Sequence, residues 1–164
     1  GPLGSQTLTQ ALREVLNPAR EGAIVRESGA FAPRDKVMQI ENDYDRDVFN
    51  GDLGILKRIR SKDDEVVVSF DGRDVKYGLD NLEALTRAYA ITIHKSQGSE
   101  YPAVVIPLLR EHSIMLARNL IYTAVTRGRQ LVVVIAESAA LAAAVSDRRV
   151  RRRWTRLKDM LQPT

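Results

Sequence analysis

The pattern of apolar residues changes character at Arg87, and that change limits what the chain can fold into more than any other feature. Before it, Lys36 to Ile40, Gly54 to Ile59, Val66 to Phe70 and Arg73 to Tyr77 are short β-type runs. They are divided by turn clusters at Asn50-Gly51-Asp52, at Ser61 to Asp64 and at Asp71-Gly72. An Asp-Gly pair between two such runs marks a tight hairpin, because the primed turns need positive φ. Short strands at this spacing predict a small antiparallel barrel of about fifty residues. After Arg87 the apolar runs stop alternating. Ala88 to Thr92, Val104 to Leu108 and Leu131 to Ala136 read as strands, with helices at Arg118 to Thr126, Glu137 to Val145 and Val150 to Leu161. Unalternating strands separated by helices predict a parallel sheet covered on both faces. The fold class expected is therefore α/β, a partial parallel sheet with helices beside a small antiparallel barrel.

Ahead of the barrel, residues 6–16 carry Leu8, Leu12, Val15 and Leu16 at helical spacing, and Asn17-Pro18 stops the helix. Residues 21–33 contain Gly, Ala and Pro without clear patterning and read as a connector. Gly1 to Ser5 has the look of a scar left by a cleaved expression tag, although a native Gly-Pro-x-Gly stretch is the alternative. Nothing else there resembles a signal peptide, and no apolar run approaches the length of a membrane span. With no cysteine and two histidines, a disulfide is excluded and a zinc site is not expected.

Charge is unevenly placed. Arg148, Arg149, Arg151, Arg152, Arg153 and Arg156 crowd the C-terminal end, and taking them from the net charge of +4 leaves the rest of the chain two negative. Such a cluster suits phosphates, yet it is equally a solvated helix face.

Two segments concentrate chemistry. Thr92-Ile93-His94-Lys95-Ser96-Gln97-Gly98-Ser99-Glu100-Tyr101 sets polar groups and a glycine between apolar runs, where α/β proteins place ligand groups. Asn119 to Arg129 delivers Arg127 and Arg129 just before the last apolar run, and a planar, permanently charged guanidinium there suits a phosphate. Taken alone, the first fits an ordinary polar turn. The second fits a helix C-terminus with cations and a glycine cap.

Together the segments resemble motifs V and VI of superfamily 1 helicases. The stretches Asp35 to Gln39, Asn42 to Tyr44 and Val48 to Gly54 are similar to RecD-type helicases in particular, as is the helix ending Leu16-Asn17-Pro18. The resemblance implies a RecA-like domain, 2A, interrupted by a Src-homology-three-like barrel, 2B. The domain reading that follows is 1–5 tag scar, 6–33 helix and connector of 2A, 34–86 barrel, and 87–164 the part of 2A with both motifs. It implies a motor that moves 5′ to 3′ on DNA using ATP and Mg2+. Arg127 is then the arginine finger. Gly98, Glu100, Gln97 and Arg129 meet the nucleotide, and Thr92, His94 and Lys95 meet single-stranded DNA. Tyr122 and Asn119 are read as structural, and His112 is given no role.

The Gly-x-x-x-x-Gly-Lys-Ser/Thr phosphate loop is absent, and Asp63-Asp64-Glu65 precedes its apolar run instead of following it. The chain alone is therefore expected not to hydrolyse ATP, with domain 1A of the same protein supplying the rest and the Mg2+ ligands. Expected partners are single-stranded DNA, its junctions with duplex, and domain 1A, in the cytoplasm with the nucleoid. Two alternatives remain: a non-catalytic protein- or DNA-binding module, and the motor part of a conjugative relaxase–helicase.

Overall fold

The computed structural model describes residues 4–18, 21–26, 29–110 and 117–147. The C-terminal arginine cluster, the helix expected at 150–161, His112 and residues 1–3 lie outside them. Packing divides the chain into two compact units, Gly1–Tyr101 and Pro102–Thr164.

The first unit begins with helix α1, Ser5–Leu16, and a hairpin of β1, Ile24–Arg26, and β2, Gly29–Phe31. Then come β3, Lys36–Gln39; β4, Leu53–Arg60; β5, Glu65–Phe70; β6, Arg73–Tyr77; and β7, Leu85–Arg87. These five form one sheet in the order β6-β5-β4-β3-β7, antiparallel throughout. The expected Asp71-Gly72 turn closes β5 on β6, with φ of 47° and 87° and Phe70 facing Arg73. On β4 the register slips between Leu56 and Arg58, so Lys57 is an extra residue against β5. Such a bulge bends its strand and increases the local twist, which a small barrel requires.

The inward residues of these strands, Val37, Leu56, Val66, Val68, Phe70, Val75 and Tyr77, close on Phe31, Val48, Leu82 and Leu85 in one buried core. Each fully buried aliphatic side chain there contributes about 1.5–3 kcal/mol. Tyr77 keeps its hydroxyl satisfied by donating to Gln39 Oε1 at 3.0 Å, and burial pushes its pKa up to about 12.

The second unit holds β8, Tyr101–Leu108; α2, Arg118–Val125; β9, Gly128–Ala136; and α3, Ser138–Ser146. β8 and β9 pair as a two-stranded parallel sheet. Helices α2 and α3 pack together, and Ala140 and Ala144, one turn apart on α3, are buried. Two backbone bonds tie this unit's connections: Arg118 N–H donates to Asp147 O at 3.3 Å, and Glu137 N–H donates to Leu108 O at 3.1 Å.

The helix expected at 6–16 is α1, and its polar side is the buried one: Leu12, Val15 and Leu16 are exposed, while Thr9, Arg13 and Asn17 are buried, because the helix is held by polar bonds described below. Three expectations need correction. The connector at 21–33 contains the β1–β2 hairpin and buries Phe31 and Ala32 completely. Ala88 to Thr92 is not a strand. The strand is β7, which joins the barrel sheet beside β3, and its last rung is Ala88 N–H to Lys36 O at 2.8 Å. Finally, β9 is not covered on both faces, since Leu131, Val134 and Ile135 are exposed by 54%, 41% and 61%. Among the described residues, a sheet of two strands with two packed helices has too few neighbours to bury them.

Candidate nucleic-acid and nucleotide site

Residues 88–92 leave the barrel as irregular chain, and residues 93–98 fold into consecutive turns. Thr92 starts them. Its Oγ1 accepts the Lys95 N–H at 3.3 Å, and its carbonyl accepts the Ser96 N–H at 3.2 Å. Hydroxyl residues favour such positions because they bond the backbone two or three residues on. Ser96 is buried and donates Oγ–H to Ile93 O at 2.8 Å, which pins the middle of the loop. Gln97 N–H to His94 O at 3.3 Å and Ser99 N–H to Ser96 O at 3.2 Å complete it. The loop's stability therefore comes from its own backbone, and Thr92, His94, Lys95, Gln97 and Glu100 are left exposed.

Gly98 has φ +86°, and a Cβ there would meet nothing within 4 Å. The glycine is required for its backbone conformation, and open space in front of it lets another molecule approach the loop.

Beside this loop lies a groove of about 500 Å³ whose lining includes Ser5, Thr7, Thr86, Arg87, Thr92 and Lys95. Among the described residues no carboxylate lines it. Hydroxyls and two cations without an opposing acid make a surface that favours phosphate oxygens.

In the second unit Arg127 follows α2. Its Nε donates to Thr123 O at 3.1 Å and its Nη2 to Thr126 Oγ1 at 3.2 Å. The guanidinium thus sits against the last carbonyls of α2, where the helix dipole favours a cation. It is half-buried, and its planar fork is held while part of it stays accessible. Arg129 is not in a helix-end loop, because β9 starts at Gly128 and takes it in as an exposed strand residue. Tyr122, expected to be structural, is 71% exposed.

The candidate residues fall into two groups. Thr92, His94, Lys95, Gln97, Gly98 and Glu100 share one loop of the first unit, and Arg127 and Arg129 belong to the second. Among the described residues no cluster of three or more His, Asp or Glu groups is placed to hold a cation. Among them, too, no helix is long and apolar enough to cross a membrane.

Sequence reasoning missed the groups that anchor the loop. Asp35, fully buried, accepts Arg13 Nε on both oxygens at 2.9 and 3.1 Å, Asn17 Nδ2 at 2.8 Å, Ala32 N–H at 2.8 Å and Tyr89 O–H at 2.9 Å. Burial pushes its carboxyl up, and these hydrogen bonds outweigh that and hold it below the usual carboxylate range. Burial and then the bond to Asp35 push the Tyr89 phenol up. The signal for this set was legible: Thr9, Arg13 and Asn17 are spaced four apart and fall on one side of a helix.

Residues 8–70 match the family described as the ATP-dependent RecD-like DNA helicase SH3 domain, and residues 87–135 match the UvrD-like helicase C-terminal domain. The chain is 40% identical over 129 residues to the ATP-dependent RecD2 DNA helicase of Deinococcus radiodurans, covering 79% of this chain and 18% of that protein. It is 38% identical over 119 residues to the RecBCD enzyme subunit RecD of Mycobacterium tuberculosis, covering 71% of this chain and 20% of the relative. Among solved structures, the Bacteroides Pif1 helicase in complex with ADP-AlF3 and single-stranded DNA superposes with a TM-score of 0.53 at 25% identity, over 70% of this chain and 30% of that one. The chain spans about a fifth of the length of the curated relatives it matches. With the SH3 domain and the UvrD-like C-terminal domain in that order, the chain belongs to the RecD-like DNA helicases.

Proposed function

We propose that this chain is the DNA- and nucleotide-contacting part of the second motor domain of an ATP-dependent DNA helicase that moves 5′ to 3′. The observation that carries the reading is the self-supported loop 92–100, which exposes Thr92, His94 and Lys95 beside a groove lined by hydroxyls and cations. The Thr92 oxygen accepts within the turn, and its proton remains to donate to a phosphate oxygen. The His94 ring stacks on a base or donates to phosphate, and Lys95 adds a point charge. The Pif1 neighbour was solved with single-stranded DNA and ADP-AlF3, which supports both ligand classes for this fold.

On the nucleotide side, Gly98 admits close approach of the backbone, and Gln97 and Glu100 flank it, with Glu100 reaching for the ribose. Arg127 is the arginine finger, and Arg129 is a second phosphate contact. The finger's cation, held at the end of α2, stabilises charge on the transferred phosphoryl group, an effect worth roughly 10³–10⁵ in rate where the rest of a site exists. Mg2+ would neutralise phosphate charge in the complete site. Its ligands and the phosphate loop would come from domain 1A, and the described residues here offer no cation cluster. A cytoplasmic, nucleoid-associated location follows from the DNA reading alone, as do junctions of single-stranded with duplex DNA as substrates.

The test has two arms in the intact protein that contains this chain. His94→Ala should weaken binding of a labelled single-stranded oligonucleotide by about tenfold, with a salt slope lower than that of the wild type. Arg127→Ala should cut DNA-stimulated ATP hydrolysis by at least about 10³ while DNA binding persists. Unchanged hydrolysis in the Arg127 variant would remove the finger assignment, and unchanged DNA affinity in the His94 variant would remove the DNA face.

A further inference from the structure

We infer that Thr9 is a positioning residue for the loop 92–99, acting through the backbone of Ala90. The inference rests on the reading of that loop as a DNA contact.

Thr9, Arg13 and Asn17 are only 7%, 7% and 5% exposed, and their spacing of four puts them on one stripe of the α1 side. The two lower members of the stripe grip Asp35, which also accepts the Tyr89 hydroxyl. The upper member grips the next residue along. Thr9 Oγ1 donates to Ala90 O at 3.0 Å and accepts Ala90 N–H at 3.1 Å. Ala88, one residue before Tyr89, donates its N–H to Lys36 O. Three consecutive residues are therefore fixed by three different partners: the edge of β3, the Asp35 carboxylate and the Thr9 hydroxyl.

The order matters because, among the described residues, no ladder continues past Ala88. A strand entering a ligand loop normally owes its position to its neighbours in the sheet. Here a single hydroxyl takes both backbone groups of Ala90 in place of a neighbouring strand. Thr92 lies two residues on, within about 7 Å of chain. The turns after it are closed by their own bonds, so the loop moves as a body with Ala90. Loss of the Thr9 hydroxyl frees both Ala90 groups to water in the adjoining groove and lets that body shift.

The experiment uses Thr9→Val, Thr9→Ser, His94→Ala and the Thr9→Val/His94→Ala double variant in the intact helicase. Valine keeps the shape of threonine and removes the hydroxyl, whereas serine keeps the hydroxyl. Thr9→Val should weaken binding of labelled oligo-dT by about tenfold, as the loss of two ordinary hydrogen bonds allows. The DNA concentration for half-maximal ATP hydrolysis should rise by more than kcat at saturating DNA falls. Thr9→Ser should restore both. In the double variant, Thr9→Val should add less than about twofold to the His94→Ala loss, since both act through one loop. Hydrogen exchange should quicken at the amides of residues 92–99 and stay unchanged at 53–77.

Wild-type DNA affinity in Thr9→Val, with His94→Ala impaired, would overturn the positioning role and leave the DNA reading intact. Failure of serine to rescue, full additivity in the double variant, or equal quickening of exchange across 53–77 would each overturn it too. Wild-type affinity in His94→Ala would remove the DNA reading and this inference with it.

Discussion

The strands of the β8–β9 sheet are more apolar than those of the barrel sheet, yet they are the less buried. In the barrel, Val37, Leu56, Val66 and Val68 have no exposure at all. In β9, Leu131, Val134 and Ile135 keep between 41% and 61% of their surface. The difference is one of strand number and closure. Five antiparallel strands with a bulge and a tight turn fold over their own core, whereas a two-stranded parallel pair offers flat faces that only further strands or helices can cover. Apolar composition says that a strand wants burial; the number of neighbours within reach decides whether it gets it.

Four substitutions sharpen that comparison, beginning with the most damaging. Asp35→Asn removes the charge that balances a buried guanidinium, and should destabilise the chain at neutral pH by about 3–5 kcal/mol in urea denaturation. The folded pKa of Asp35 is lowered, so its contribution is present above the ordinary carboxylate pKa and disappears as pH falls through the folded value. The penalty should therefore shrink below about pH 4. A pH-independent penalty would mean that shape and not charge matters at this hub.

Leu56→Ala, in the closed core, should cost about 2–5 kcal/mol, while Ile135→Ala on the open sheet should cost under about 1 kcal/mol. Repeating the pair in the intact protein that contains this chain gives the comparison its edge. A rise in the Ile135 penalty there would show that other parts of the protein cover β9, and equal penalties in the isolated chain would break the contrast altogether. The smallest effect is expected for Gly98→Ala. Its φ of +86° makes a side chain cost about 1 kcal/mol locally, with no steric clash. Barrel stability should hardly change, and single-stranded DNA affinity should fall by about fivefold.

Much of this was legible in the residues. The Asp71-Gly72 turn, the strands on either side of it and helix α2 are local features, fixed by turn chemistry and periodicity within a few positions. The candidate loop was legible for the same reason: its polar run and glycine specify turns that close on their own backbone. The strand expected at 88–92 failed because an apolar run does not reveal which backbone will pair with it. Leu85 to Arg87 found β3, and Ala90 found a side chain instead.

Helix α1 formed where its spacing predicts it, but the spacing did not say which side is buried: Leu12, Val15 and Leu16 are exposed, and Thr9, Arg13 and Asn17 are buried. Local sequence therefore determined where the helix begins and ends and where the chain turns. Only the tertiary structure decided which face of α1 is buried and what holds Ala90. The reason is physical. A buried carboxylate with several donors fixes the helix orientation more strongly than a modest apolar stripe, and its partners come from positions as far apart as Arg13 and Tyr89.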